Sequence, residues 1–179
     1  MIKANEATAQ TLGQLSKVEK TMTPVINLDT LKKDNWNATE QQNAALVVEF
    51  VQLIMNDHDF DQVLSRFGSQ PYRQHNRSMT DGISGVVKSV SDLCKQSPEF
   101  SYDVKHIYVD GENVILHSHA TLKRKHRGDD KQGFNIMDVW KVVDGKIVEH
   151  WDTVQPMSFS MRMYMLVTGG AIRNDNGVY

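Results

Sequence analysis

The chain has 179 residues, 40% hydrophobic and 23% charged, with 11 Gly and 4 Pro, which suits one soluble globular domain and excludes low-complexity, collagenous or broadly disordered chains. A formal net charge of -2 leaves no global positive field for nucleic acid or anionic lipid, and one cysteine, Cys94, excludes an internal disulfide or a thiolate metal cluster. No apolar run approaches the roughly 18–20 residues of a bilayer span, and the N-terminus lacks the continuous apolar stretch of a secretory signal, so no membrane contact and a cytoplasmic location are expected.

Residues 1–36 are polar and weakly periodic and read as an N-terminal arm. Structure is expected to begin at Asn37, a helix cap whose backbone Glu40 can reach in return, the capping-box arrangement. Ala45, Leu46, Val47, Phe50, Val51 and Ile54 then recur at helical spacing, and Asn56–Asp59 ends the helix. A shorter helix runs from Phe60 to Phe67 and stops at Gly68. Residues 69–81 form a polar loop, and 82–96 form a one-sided helix ended by Ser97-Pro98. Cys94 sits at helical spacing from Val87 and Val90, as a packed thiol would.

After Pro98 the period changes from helical to alternating. Residues 102–109, 114–123, 134–143 and 146–155 read as strands, with Asp110-Gly111 and Asp144-Gly145 at hairpin turns. Helices followed by an antiparallel meander make an α+β domain with helices on one face of a curved sheet. The Met-rich stretch from Pro156 to Tyr179 is a C-terminal extension that packs on the domain or a partner.

The Asp144-Gly145 turn pairs Val143 with Lys146, which sets Asp138 opposite Trp151 and Trp140 opposite Glu149. Phe134, Ile136, Asp138, Trp140 and Val142 then share a face with Ile147, Glu149 and Trp151. This is the more aromatic face and is taken as the inner one; Met137, Val139, Val148, His150 and Asp152 fall on the outer one. A lone carboxylate among aromatic residues must be paired, hydrogen-bonded or raised in pKa, and a carboxylate so poised suits a general base. His117 and His119 project from one face of a neighbouring strand. A pairing of His119 with Asp138 would supply an acid/base partner, and His117, His119 and Asp138 together could instead form a two-His-one-carboxylate metal set. Two partly buried structural histidines are the plain alternative. Residues 72–76, Tyr-Arg-Gln-His-Asn, could close one end of a cavity. The basic run 123–127 reads as a solvated loop tip rather than a nucleic-acid site. No nucleophile elbow, phosphate loop or dinucleotide fingerprint is present.

Residues 72–76, Asp81-Gly82, 109–114 (Val-Asp-Gly-Glu-Asn-Val), His117-Ser-His119, Met137-Asp-Val-Trp140 and 144–152 (Asp-Gly-Lys-Ile-Val-Glu-His-Trp-Asp) together resemble the SnoaL-like group of the NTF2-like superfamily. Within it, the chain is similar to polyketide cyclases and to proteins grouped as aldol-condensation enzymes. The match spans about residues 39–155 and extends to the Asn-rich end, 174–179; the SnoaL-like domain is placed at 37–155. The resemblance implies a cone-shaped α+β barrel enclosing one pocket, with no metal or cofactor, and a homodimer formed through the outer sheet face. It also implies acid–base work by Asp138, assisted by His119 or His75, on a small apolar carbonyl compound. Tyr72, Gln74, His117, Trp140 and Trp151 are the expected substrate contacts. Because this fold also serves proteins without catalytic activity, a ligand-binding or dimerisation module with the same pocket stands as the alternative.

Overall fold

A computed structural model of the protein describes residues 22–169 and 173–178. The helix α1 (Leu28–Leu31) is followed by α2 (Ala38–Val51), a π-helical turn (Gln52–Asp57), α3 (Phe60–Phe67), the short strand β1 (Arg73–Gln74) and α4 (Gly82–Gln96). Strands β2 (Ser101–Asp110), β3 (Asn113–Thr121), β4 (Phe134–Val143) and β5 (Lys146–Pro156) follow, and α5 (Phe159–Thr168) completes the order. The expected N-terminal arm lies outside the described residues up to Thr21. From Met22 on it lies against the domain: the Ile26 N–H donates to Gln52 Oε1 at 3.0 Å, and Trp36 is buried. No described helix is long and apolar enough to cross a membrane.

Local chemistry explains the helices. Asn37 Oδ1 accepts from the Glu40 N–H at 3.0 Å while Glu40 Oε2 accepts from the Asn37 N–H at 2.8 Å, so the capping box forms as the sequence predicts. Phe50 and Val51 of α2, Val63 and Phe67 of α3, and Val86 and Val90 of α4 meet the sheet in one apolar core. After Val51 the helix widens into the π-helical turn, which ends at His58 in the left-handed conformation (φ 53°). This turn carries the buried Asn56 against β2. Asn56 Oδ1 accepts from the Tyr102 N–H at 2.8 Å, and Asn56 Nδ2 donates to the Tyr102 carbonyl at 2.9 Å.

The sheet is a curved, open one with the order β1-β5-β4-β3-β2. Its four long strands form the expected antiparallel meander. At the second hairpin Asp144 (φ 49°) and Gly145 (φ 68°) both take positive φ, as a tight two-residue turn requires. β1 was expected as loop and is instead an edge strand parallel to β5, Gln74 pairing with His150. A two-residue strand carries no alternation, so it leaves no period in the sequence.

Two register shifts change which residues face inward. Val142 pairs with Ile147 but Lys141 pairs with Glu149, so Val148 is an extra residue in β5. Asp138 therefore lies opposite Asp152 rather than Trp151, and Trp140 lies opposite His150 rather than Glu149. The expected faces of β4 hold. Those of β5 beyond Val148 are inverted: His150 is inside, while Glu149 and Trp151 are outside. In β2, Val104 pairs with Ser118 but His106 with His117, which makes Lys105 the extra residue. β3 and β4 run together without a shift and set Leu116, not His119, opposite Asp138. His117 and His119 thus lie on the outer face, opposite Met137 and Asn135. Arg127, expected in solvent, is buried, its Nε donating to Ser101 Oγ at 2.9 Å.

The Asn56 side chain satisfies two backbone groups of a buried strand end. Asn56→Ala should cost about 2–3 kcal/mol in unfolding free energy, read from urea denaturation, with little change in the slope of the transition.

Candidate active site

The helical layer, the sheet and α5 enclose a cavity of about 200 Å³. Phe50 and Met55, Val86, Val90 and Leu93, and Phe134, Ile136 and Val154 form an apolar wall, and Tyr164 and Met165 of α5 cover it. At one end the lining turns polar, with Tyr72, Gln74, Asn76, Tyr102, Asp138, His150 and Asp152. No lysine or arginine lines the cavity among the described residues.

Asp138 is only 2% exposed. Its Oδ2 accepts from the Tyr102 hydroxyl at 2.9 Å, and its Oδ1 lies 3.1 Å from His150 Nε2. Trp140 stacks on the His150 ring with centroids 4.6 Å apart. Burial raises the Asp138 carboxyl above its ordinary value; the His150 and Tyr102 bonds pull it back in part, and the Asp152 charge adds to the rise. Burial likewise pushes the Tyr72 and Tyr102 hydroxyls well above the usual tyrosine range, and the Asp138 charge reinforces this.

Backbone donors settle how these side chains are protonated. The Asn76 N–H donates to Gln74 Oε1 at 2.8 Å, so that atom is the amide oxygen and can only accept. His150 Nδ1, 2.9 Å from the same oxygen, must therefore carry a proton. Its Nε2 then faces Asp138 Oδ1 across one remaining proton, held either by the carboxyl or by the ring. The same logic applies next door. The Ser78 N–H donates to Asn76 Oδ1 at 2.9 Å, so Asn76 Nδ2 is the donor to Asp152 Oδ2 at 2.6 Å. Gln74 Nε2 donates to the Tyr72 hydroxyl oxygen at 3.2 Å.

Of the expected site residues, Asp138, Trp140, Tyr72 and Gln74 line the cavity together. Trp151 does not; it lies on the outer face, stacked on His75 at 4.7 Å. His75 is buried behind Gln74, with Nε2 at 3.3 Å from Glu149 Oε2. On the outer face His117 Nε2 lies 2.6 Å from Asn135 Oδ1, and His119 Nε2 lies 2.7 Å from the Gln132 carbonyl. A metal set of His117, His119 and Asp138 is therefore divided by the sheet. A different trio, Asp138, His150 and Asp152, has ligand atoms within 4.8 Å of one another. His150, Tyr102 and Asp152 escaped the sequence reading because each was assigned to the wrong face or to none. Cys94 is half-buried, and burial pushes its thiol up to about 11, out of reach of thiolate chemistry at neutral pH.

A family model described as SnoaL-like domain matches residues 47–150. The chain belongs to the SnoaL-like domain family. Solved structures share the fold at low identity. A provisionally assigned polyketide cyclase from Bacillus cereus is 16% identical with a TM-score of 0.55, covering 85% of this chain and 92% of that one. A provisionally assigned SnoaL-like polyketide cyclase from a Jannaschia species is also 16% identical, with a TM-score of 0.54 and coverage of 80% and 99%. TsrD from Streptomyces laurentii, 16% identical, gives 0.52 with coverage of 77% and 100%. No protein of curated function matches this SnoaL-like chain in sequence.

A carboxyl with a raised pKa in the folded state loses stability as pH climbs from the ordinary carboxylate range through the folded value. Asp138→Asn keeps the shape, with Oδ1 accepting from Tyr102 and Nδ2 donating to His150, and removes that slope. The variant should match the parent at acid pH and become the more stable protein as pH rises, measured by urea denaturation across that range.

Proposed function

We propose that this SnoaL-like domain is an enzyme of proton transfer at carbon, acting on a small uncharged carbonyl compound. The observation that carries this reading is the buried Asp138 carboxyl 3.1 Å from His150 Nε2 at the polar end of an otherwise apolar cavity. With His150 holding the proton between them, the Asp138 carboxylate takes a proton from the carbon next to the carbonyl, and the C–H electron pair becomes the enolate. The Tyr72 hydroxyl accepts from Gln74 and keeps its own proton to donate to the enolate oxygen. A conjugated dienolate then takes the proton back from Asp138 at a different carbon, completing an isomerisation, or the enolate carbon attacks a second carbonyl, completing an aldol condensation or cyclisation. In the latter case the proton held by Asp138 passes to the new alkoxide. The lack of lysine and arginine in the lining favours a neutral substrate over a phosphate or carboxylate.

A binding module without turnover would share the cavity. Against that reading stands the His150 imidazole within hydrogen-bond reach of Asp138, together with a tautomer set by Gln74; a pocket that only holds an apolar ligand needs neither. A panel of simple ketones and 1,3-diketones in heavy water tests the proposal. Deuterium should enter the carbon next to the carbonyl faster than in buffer, about 10²–10⁴-fold slower again with Asp138→Asn and about 10²-fold slower with Tyr72→Phe. Exchange at the buffer rate across the panel, or an undiminished rate in Asp138→Asn, overturns it.

We also propose that two copies meet through the outer sheet face, where Tyr108 (48% exposed) on β2 and Met137 (39% exposed) on β4 flank β3, with Ile115 and Val139 on the same face. His150, expected on that face, takes no part. Light scattering should give twice the chain mass at micromolar concentration, and Met137→Lys should halve it.

A further inference from the structure

The carboxyl-terminal segment 173–177 lies over the loop that carries Gln74 and Asn76. The Arg173 N–H donates to the Arg77 carbonyl at 2.8 Å. Asn174 is 7% exposed, and its Oδ1 accepts from the Asn176 N–H at 3.1 Å, which fixes Nδ2 as the donor. That one amide group reaches two loop carbonyls, Asn76 at 2.7 Å and Met79 at 2.9 Å. Asn176 Nδ2 donates to the Gln74 carbonyl at 3.0 Å, and the Gly177 carbonyl lies 3.3 Å from His75 Nδ1. Four consecutive loop residues, Gln74 to Arg77, thus each contact this one segment.

Those loop residues are the ones that set protonation in the cavity. The Asn76 N–H orients the Gln74 amide, and the Gln74 amide oxygen puts a proton on His150 Nδ1. The Asn76 side chain holds Asp152. The loop is also tied to the sheet, by the two residues of β1 pairing, by the His75 N–H to the His150 carbonyl at 2.9 Å and by His75 stacked on Trp151, and Gln74 N–H bonds to Asp81 Oδ1. The carboxyl-terminal segment adds a contact at every residue from Gln74 to Arg77. Neither Asn174 nor Asn176 lines the cavity.

We propose that Asn174 and Asn176 are positioning residues: the carboxyl-terminal segment clasps the Gln74–Met79 loop and thereby holds His150 in its Nδ1–H tautomer, facing Asp138 through Nε2. The inference rests on the acid–base reading for its consequence, namely that the clasp sets the proton inventory of the site. The arrangement itself can be read without any substrate.

The test uses full-length protein labelled with ¹⁵N and long-range ¹H–¹⁵N correlation of the imidazoles at neutral pH. In the parent, His150 should show a protonated Nδ1 whose hydrogen exchanges slowly with water. Asn174→Asp keeps shape and the acceptor for Asn176 but faces two carbonyls with a carboxylate; Asn176→Ala removes the bond to the Gln74 carbonyl and the contact with Asp81. In both, the His150 Nδ1 hydrogen should exchange about tenfold or more faster, the change expected from losing one or two hydrogen bonds, and the tautomer should become mixed. Asn27→Ala, which deletes an exposed helix cap remote from the cavity, should leave the signal unchanged. An unaltered His150 signal in either folded variant overturns the proposal, as does unfolding of both variants, which would make the segment a support of the whole fold. The reading of the reaction fails separately, by the absence of deuterium exchange in the parent protein.

Discussion

A single proton between Asp138 Oδ1 and His150 Nε2 is the constraint around which this domain is arranged. Gln74 meets His150 through an amide oxygen whose role the Asn76 N–H decides, and the Tyr102 hydroxyl donates to Asp138, so the pair can neither gain a second proton nor lose its shared one without leaving a buried polar atom unmatched. Burial makes the arrangement costly, because a carboxyl ionised here would be 2% exposed with Asp152 on the opposite strand. A domain optimised only to stay folded has no reason to keep a carboxylate there. The expense is understandable if the group must be ready to accept a proton in a largely apolar cavity.

The layers divide the labour. Helices α2 and α4 and the π-helical turn bring apolar side chains to one wall, and α5 covers the opening with Tyr164 and Met165. The sheet brings the polar groups from four strands: Gln74 from β1, Tyr102 from β2, Asp138 from β4, His150 and Asp152 from β5. Pairing between strands holds such groups at fixed spacing, which loops alone do less well. The parallel strand β1 matters out of proportion to its two residues, since it is what brings the amide oxygen of Gln74 to the far side of the His150 ring.

The fold was legible because its signals are local and periodic. The capping box at Asn37 and Glu40, the switch of period after Pro98 and the tight turn at Asp144-Gly145 each act within a few residues, and all of them form as read. Asp138 was legible for a related reason: it interrupts an alternating apolar face, and that face runs through β4 without a shift. Its partners were not. Strand alternation counted back from the turn places His150 outside, and only the extra residue Val148 turns it in. Alternation cannot announce a bulge, because Val148 is a good strand residue whichever way it points. The histidines of β3 misled for want of register, since the connection to β4 contains no two-residue turn to count from. The clasp by Asn174 and Asn176 spans nearly a hundred positions of sequence and leaves no period at all.

Tyr102 and His150 reach Asp138 from opposite flanks, and both do so beyond a one-residue bulge, at Lys105 and at Val148. Between them β3 and β4 keep step along their whole length. The hairpin ends of the outer strands are thus in one frame and the chemical ends in another, like lines of text shifted by a single letter. Loss of Lys105 or Val148 would restore the frame, keep the turns and the alternation of the sheet, and swing the tyrosine or the histidine out into solvent. In this sheet, a change in length by one residue would rearrange the polar end of the cavity with no exchange of side chains.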